Sequence, residues 1–262
     1  MCRFLAYRGA PVFLDAIVCA PGHSLIRQSL HAEEAKVATN GDGFGLGWYG
    51  ERAEPGLYRE LRPAWSDENL LSLCRLVRSN IFFAHVRAAT GTATMRANCH
   101  PFTHGRWMFM HNGQIGGFGR VRRRLESLLP DEMYDARAGT TDSEIVFLLI
   151  LSRIDAGEHP IEATRNVLRV VKDFMRASGV EEPIRFAAAL TDGETVTAFR
   201  TACDGKPPTL YLCERPDAAI IASEPLDSDR SCWREIPKGA AVTVGASGVK
   251  IEELFWSPSL VD

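Results

Sequence analysis

Apolar and aromatic residues fall in short runs bounded by Gly, Pro or Asn over the first part of the chain. On that pattern Cys2–Tyr7, Gly45–Tyr49, Leu57–Leu61, Ile81–Val86 and Trp107–Met110 read as strands. Ser66 stands where it can cap a helix running to about Arg78, with Leu70, Leu73, Leu76 and Val77 on one face. A second helix is expected over roughly Gly119–Leu129. Thr141, with Glu144 three residues on, matches a capping box, and the apolar run behind it predicts a buried helix to about Ile154. Pro160 then opens a longer helix whose stripe is Ile161, Val167, Leu168, Val171, Phe174 and Met175, ending near Gly179. After Pro183 the strand pattern returns: Phe186–Leu190, a turn at Asp192-Gly193, Val196–Phe199, Leu210–Leu212, Ala219–Ala222, Ala241–Val244 and Val249–Leu254. Strands, then helices, then strands argues against a doubly wound fold. It predicts an α+β protein in which two mainly antiparallel sheets pack together with helices outside them.

No linker, repeat or low-complexity tract divides the 262 residues, so one domain over 1–262 is expected. A net charge of -3 from 30 basic and 33 acidic residues gives no reason to expect nucleic acid or a membrane as partner, which leaves a small molecule. The basic run Arg120, Arg122, Arg123 and Arg124 reads as a solvated helix face. Seven cysteines, an odd number without a Cys-x-x-Cys pair, argue against a secreted disulfide framework and for a reducing cytoplasm. The start of the chain lacks a signal-peptide pattern, and the longest apolar run, Ile145–Leu151, is too short to span a bilayer, so a soluble protein is expected.

Several segments carry residues suited to chemistry. Removal of Met1 would leave Cys2 with a thiol and a free α-amine of pKa about 8, so one residue would supply nucleophile and base; an inert, half-buried cysteine is the bland alternative. In Ala84-His85-Val86-Arg87-Ala88-Ala89-Thr90-Gly91, the planar fork of Arg87 suits bidentate capture of a carboxylate. Asn98-Cys99-His100-Pro101-Phe102 reads as structural; a Cys99/His100/His104 metal site lacks a fourth ligand in sequence, and no metal is expected. Met110-His111-Asn112-Gly113 holds an Asn-Gly pair, otherwise a common turn signal. In Thr140-Thr141-Asp142-Ser143-Glu144, Asp142 in a first helical turn is favoured electrostatically without any ligand. Asn40-Gly41-Asp42-Gly43-Phe44-Gly45-Leu46-Gly47 lacks the Gly-Lys-Ser/Thr of a phosphate loop, so its glycines read as turns and close approaches of strands.

Together and in this order, these segments resemble the class II glutamine amidotransferases, over nearly the whole chain. The late Ala222-Ser223-Glu224-Pro225-Leu226 resembles a strand and turn of the same family, with no role assigned. The resemblance implies the four-layer αββα sandwich of N-terminal-nucleophile hydrolases and a mature chain that begins at Cys2. It also implies roles: Cys2 as nucleophile, Asn112 and Gly113 as the oxyanion donors, and Arg87, Thr90 and Asp142 in the substrate pocket, with Arg87 on the α-carboxylate and Asp142 on the α-ammonium. The expected reaction is hydrolysis of the γ-amide of glutamine or a γ-glutamyl compound through a γ-glutamyl thioester, without metal or organic cofactor.

Ala88 and Gly91 depart from the tryptophan and histidine that family members feeding a fused synthase carry, and no second domain to consume ammonia is expected after about residue 256. The pattern is similar to the stand-alone branch acting in glutathione breakdown or ergothioneine synthesis. A glutaminase subunit serving a separate synthase or hydrolase subunit, a free-standing γ-glutamyl amidohydrolase, and a silent glutamine-binding regulatory domain remain as readings, and a homodimer is an open expectation.

Overall fold

The computed structural model describes residues 2–34, 39–89, 93–229 and 231–254. Two sheets, antiparallel in every strand pair, form its centre. The first has the order β11-β9-β10-β1-β4-β2-β3, built from β1 (Arg3–Phe13), β2 (Phe44–Trp48), β3 (Gly56–Glu60), β4 (Arg78–Val86), β9 (Tyr211–Arg215), β10 (Ala218–Ala222) and β11 (Trp233–Glu235). The second has the order β13-β12-β8-β7-β6-β5, from β5 (Phe102–His104), β6 (Trp107–Ile115), β7 (Ile184–Thr191), β8 (Val196–Ala202), β12 (Ala240–Gly245) and β13 (Gly248–Glu253).

Both sheets are apolar on both faces, which is why they lie in the middle of four layers. Alternate residues of β1, β4 and β6 meet between the sheets: Phe4 and Ala6, Ile81 and Phe83, Met108 and Met110. The opposite face of the first sheet (Leu5, Tyr7, Phe82, Ala84) is covered by α1 (Asp15–Val18), α2 (Leu25–Leu30) and α3 (Glu68–Leu76). The outer face of the second (Phe109, Phe186, Phe199) packs against α4 (Phe118–Glu126), α5 (Asp131–Asp135), α6 (Asp142–Asp155) and α7 (Pro160–Ala177). α6 is buried all round from Ser143 to Leu151, the expected state for a helix wedged between a sheet and its neighbours. The αββα order is that expected from the sequence.

The differences are local and have physical reasons. Asp67, not Ser66, caps α3: its carboxylate accepts from Leu70 N at 2.7 Å, while Ser66 ends a single 3-10 turn. That helix stops at Leu76 because Arg78 already pairs with Phe13 in the sheet. Thr141 accepts from Glu144 N as a cap should, but the Glu144 carboxylate reaches Ala138 N and Gly139 N rather than closing the box on Thr141. Asn112-Gly113 lies within β6, paired with Ala187 and Phe186, and makes no turn. The helices Asp15–Val18, Leu25–Leu30 and Asp131–Asp135 and the short strands Phe102–His104 and Trp233–Glu235 are too brief to show a period.

The cysteine argument also needs amending. Cys213 and Cys232 are bridged, tying β9 to the residue before the edge strand β11, while Cys2, Cys19, Cys74, Cys99 and Cys203 are free. One bridge is not a disulfide framework, but neither is the chain free of disulfides. Among the described residues no helix is long and apolar enough to cross a membrane.

Candidate active site

The three rows that meet between the sheets all end at the same edge. Continuing each by two residues gives Cys2 from Phe4, His85 from Phe83 and Asn112 from Met110, so strand alternation alone turns an apolar core polar at one place. Arg87 continues the β4 row by two more. There a cavity of about 620 Å³ opens, lined by Cys2, Arg87, His100, Gly113 and Asp142 among others. Four positions singled out in sequence, Cys2, Arg87, Gly113 and Asp142, thus share one cavity although they lie just before β1, just after β4, on β6 and at the start of α6. Asn112 does not line it; its side chain is 1 % exposed and its amide atoms have no hydrogen bond in the protein. Thr90, also expected in the pocket, and Met1, whose removal is expected, lie outside the described residues.

Cys2 Sγ accepts from Ala88 N at 3.4 Å. Burial is the main influence on the thiol and raises its pKa, opposed by the Ala88 hydrogen bond and by the charges of Arg87 and Arg3. A thiol in this setting needs a base at hand to become a nucleophile. Arg87, 4 % exposed, is held by the glycine-rich turn: its N–H donates to Gly43 O at 2.8 Å, and Nη1 reaches Asp42 O at 3.4 Å. Nη2 reaches Ala93 O at 3.3 Å. Asp42 in turn accepts from Ala89 N at 2.7 Å, so the Asn40–Gly43 turn fixes the arginine loop rather than a phosphate.

Gly113 is the one residue β6 could not replace. Its φ of +150° is strained for any side chain, and a Cβ would lie 1.9 Å from Arg185 O and 2.6 Å from His111 Nε2. Gly45 likewise lets another chain segment in, since a Cβ there would sit 2.0 Å from His100 O. Asp142 opens α6 with one oxygen accepting from Ile115 N at 2.8 Å and the other from Ser143 N at 2.8 Å. Its carboxylate therefore locks the end of β6 to α6 and still faces the cavity. Ser143 Oγ lies 2.8 Å from His111 Nδ1, and His111 Nε2 lies 3.3 Å from Arg185 O. A proton on Nε2 satisfies Arg185 and leaves Nδ1 to accept from the serine. Burial lowers the pKa of His111, with the Asp142 charge pulling the other way.

The site thus combines a half-buried thiol, a guanidinium and a carboxylate around one cavity, a set suited to a zwitterionic amino acid presented to a nucleophile. Residues 21–216 match the class-II glutamine amidotransferases. The chain belongs to that family. A probable glutamine amidotransferase of Saccharomyces cerevisiae, DUG3, is 32 % identical over 93 % of this chain and 82 % of its own length. A gamma-glutamyl-hercynylcysteine sulfoxide hydrolase of Mycolicibacterium smegmatis is 29 % identical over 97 % of this chain and its whole length. A solved glutamine aminotransferase class-II domain protein from Silicibacter pomeroyi superposes with a TM-score of 0.76 at 35 % identity, covering 97 % of this chain and all of that one. The relatives place this class II amidotransferase among enzymes acting on carbon–nitrogen amide bonds.

Reading the sequence missed the supports. Asn98 donates to Ala93 O at 2.9 Å and to Thr140 Oγ1 at 3.1 Å, tying the arginine loop to the segment before Asp142. Glu224, the residue without a role, accepts from Arg3 Nε at 2.5 Å, and Arg3 Nη1 donates to Cys2 O at 2.9 Å. Ser223 Oγ takes Phe4 N at 3.0 Å. Ser-Glu therefore anchors the strand that carries Cys2. Arg122, expected on a solvated face, bonds Glu126 at 2.7 Å and lines the cavity. Cys99, a member of the metal-site alternative set aside above, is buried with Sγ 3.7 Å from Glu60 O, and no metal-holding cluster occurs among the described residues.

Proposed function

We propose that this class II amidotransferase hydrolyses the γ-amide of glutamine or of a γ-glutamyl compound through a γ-glutamyl thioester on Cys2. The observation that carries the reading is the sharing of one cavity by Cys2, Arg87, Gly113 and Asp142. Arg87 and Asp142 clamp the α-carboxylate and α-ammonium, and Thr90 belongs to the same pocket. The α-amine of Cys2, exposed when Met1 is removed, takes the thiol proton as sulfur attacks the γ-carbon, then passes it to the departing ammonia or amine. Charge gathering on the carbonyl oxygen is met by the N–H of Gly113 on the cavity wall and by the Asn112 amide, which is unpaired in its buried position and turns towards the cavity to donate, where one donor is worth about 3–4 kcal/mol. Water then releases glutamate and restores the thiol.

A cavity of about 620 Å³ has room beyond a bound glutamine, which favours a γ-glutamyl amide with a sizeable leaving amine over a plain glutaminase. The full-length match to a relative named as the hydrolase of a γ-glutamyl compound supports the same choice. We assign the chain as one domain over 1–262, cytoplasmic, acting on a small molecule. A separate synthase or hydrolase subunit and a second copy of the chain are its candidate partners.

Intact-mass analysis before and after exposure to diazo-oxo-norleucine tests the reading, with Cys2→Ala as control. A mass lacking Met1 that gains one adduct only when Cys2 is present supports it. An intact Met1 with no adduct refutes it and leaves a silent binding domain.

A further inference from the structure

One histidine lining the cavity is used by none of these steps. His100 is 5 % exposed and neither ring nitrogen has a hydrogen bond in the protein. Its ring is held between two others, with centroids 4.4 Å from His85 and 4.4 Å from Phe102, and its backbone is pinned over Gly45. The ring is fixed, buried, and without a protein partner on either nitrogen. A buried polar atom left unpaired costs about 1–3 kcal/mol, which a water making two to four hydrogen bonds removes. Both amide atoms of Asn112, at the end of the facing row, are in the same condition.

Of the other histidines of this region, His85 also has two unpaired ring nitrogens, and neither it nor His111 combines that with a place on the cavity wall. His111 has both nitrogens engaged, by Ser143 and Arg185. His85 does not line the cavity. Burial, reinforced by the neighbouring His85, His111, Arg87 and Arg59, keeps His100 well below the usual histidine range, hence neutral at pH 7. A neutral imidazole offers one lone pair and one N–H, so it can accept from a water while donating to a second acceptor.

We propose that His100 holds the water that attacks the γ-glutamyl thioester, a role that rests on the thioester reading above. The water oxygen bonds to the thioester carbon and the carbon–sulfur bond breaks, its electron pair leaving on Cys2 sulfur. One water proton passes to the Cys2 α-amine and on to sulfur. The other leaves with the new carboxyl group, which loses it to solvent. His100 stays neutral throughout: its lone pair aligns the water, and the amine remains the base.

The test separates acylation from deacylation, using γ-glutamyl-p-nitroanilide as probe and His100→Phe, which keeps the stacked ring but removes both nitrogens. The expected result is one equivalent of p-nitroaniline released at the unmodified rate, then a steady state slower by about tenfold to a hundredfold. The thioester should accumulate in intact-mass spectra, and hydroxylamine, which needs no positioned water, should restore turnover. His100→Gln, which can still bond a water, should deacylate faster than the Phe protein. An unchanged steady state, or loss of the burst together with turnover in a folded protein, overturns the proposal. If the Phe protein does not fold, His100→Leu, which also lacks both nitrogens, is read in its place: a kept burst with slowed turnover supports the proposal, and unslowed turnover overturns it. Absence of any Cys2-dependent release from the unmodified protein refutes the underlying thioester reading instead.

Discussion

Replacing Glu224 by Gln tests whether the buried pair behind Cys2 holds the fold as well as the nucleophile. Arg3 and Glu224 are 0 % and 1 % exposed, and the carboxylate accepts from Arg3 Nε, His23 Nε2, Glu33 N and Glu34 N. Each of these partners points a proton at the oxygens, so an amide NH2 would face a donor wherever it is placed. Burial alone would raise the Glu224 pKa, but the His23 hydrogen bond, the Arg3 charge and the backbone donors overcome it and bring it from 4.5 to about 2. At 1.36 kcal/mol per pKa unit the ionised carboxylate contributes about 3 kcal/mol, in line with the about 3–5 kcal/mol cost of breaking a buried pair. The folded pKa is depressed, so this stability is present in full above the unfolded value of 4.5 and is lost as pH falls through about 2. Integrating between those values leaves about 1 kcal/mol at pH 3. Urea unfolding of the unmodified and Glu224→Gln proteins at pH 7, 5, 4 and 3 reads the difference. A penalty near 3 kcal/mol that shrinks towards pH 3 is expected. A penalty under about 1 kcal/mol at pH 7, or one independent of pH, refutes the assignment of a buried charge to Glu224.

Gly113→Ala should abolish Cys2-dependent turnover, because its Cβ meets Arg185 O at 1.9 Å and forces β6 from β7; activity near that of the unmodified protein would refute a fixed backbone there. Arg87→Lys keeps the charge and loses the planar fork, so KM for a γ-glutamyl amide should rise about tenfold or more with a smaller change in kcat, measured by initial rates. Asp142→Asn should weaken binding in the same assay and lower thermal stability by about 1 kcal/mol, since its oxygens take Ile115 N and Ser143 N. His23 gains Glu224 as partner and its pKa is raised, so its stabilisation is present below the ordinary value of 6.5 and fades as pH rises through the folded value. Melting temperatures of His23→Gln and the unmodified protein should therefore converge as pH rises from 6 to 9. Denatured protein purified without reductant should titrate five thiols, rising to seven after reduction, if Cys213 and Cys232 are bridged.

Much of this protein is written in local pattern. The short apolar runs of β4 and β6, the continuous apolar run of α6 and the proline-started stripe of α7 name their elements without help from the rest of the chain, because run length, period and capping act within a few residues. The order of those elements was enough for two stacked sheets with helices outside. Cys2, Arg87, Gly113 and Asp142 were legible as candidates from their residue types, and they share one cavity.

Tertiary structure decided what local pattern could not reach. Asn112-Gly113 has the signature of a turn, yet the hydrogen bonds of β7 on one side hold it in a strand. Asp67 displaces Ser66 as a cap because Tyr58 from another strand helps fix its carboxylate. His100 reads as structural in the sequence, and only the tertiary structure shows it buried on the cavity wall with two unpaired nitrogens. Glu224 stands 221 residues from Arg3 in sequence, and no spacing rule joins two charges at that separation. Sequence determines the elements and supplies the reactive groups, since those depend on neighbours along the chain. Packing decides which groups meet and which charges are buried, since those depend on strands brought together from its two ends.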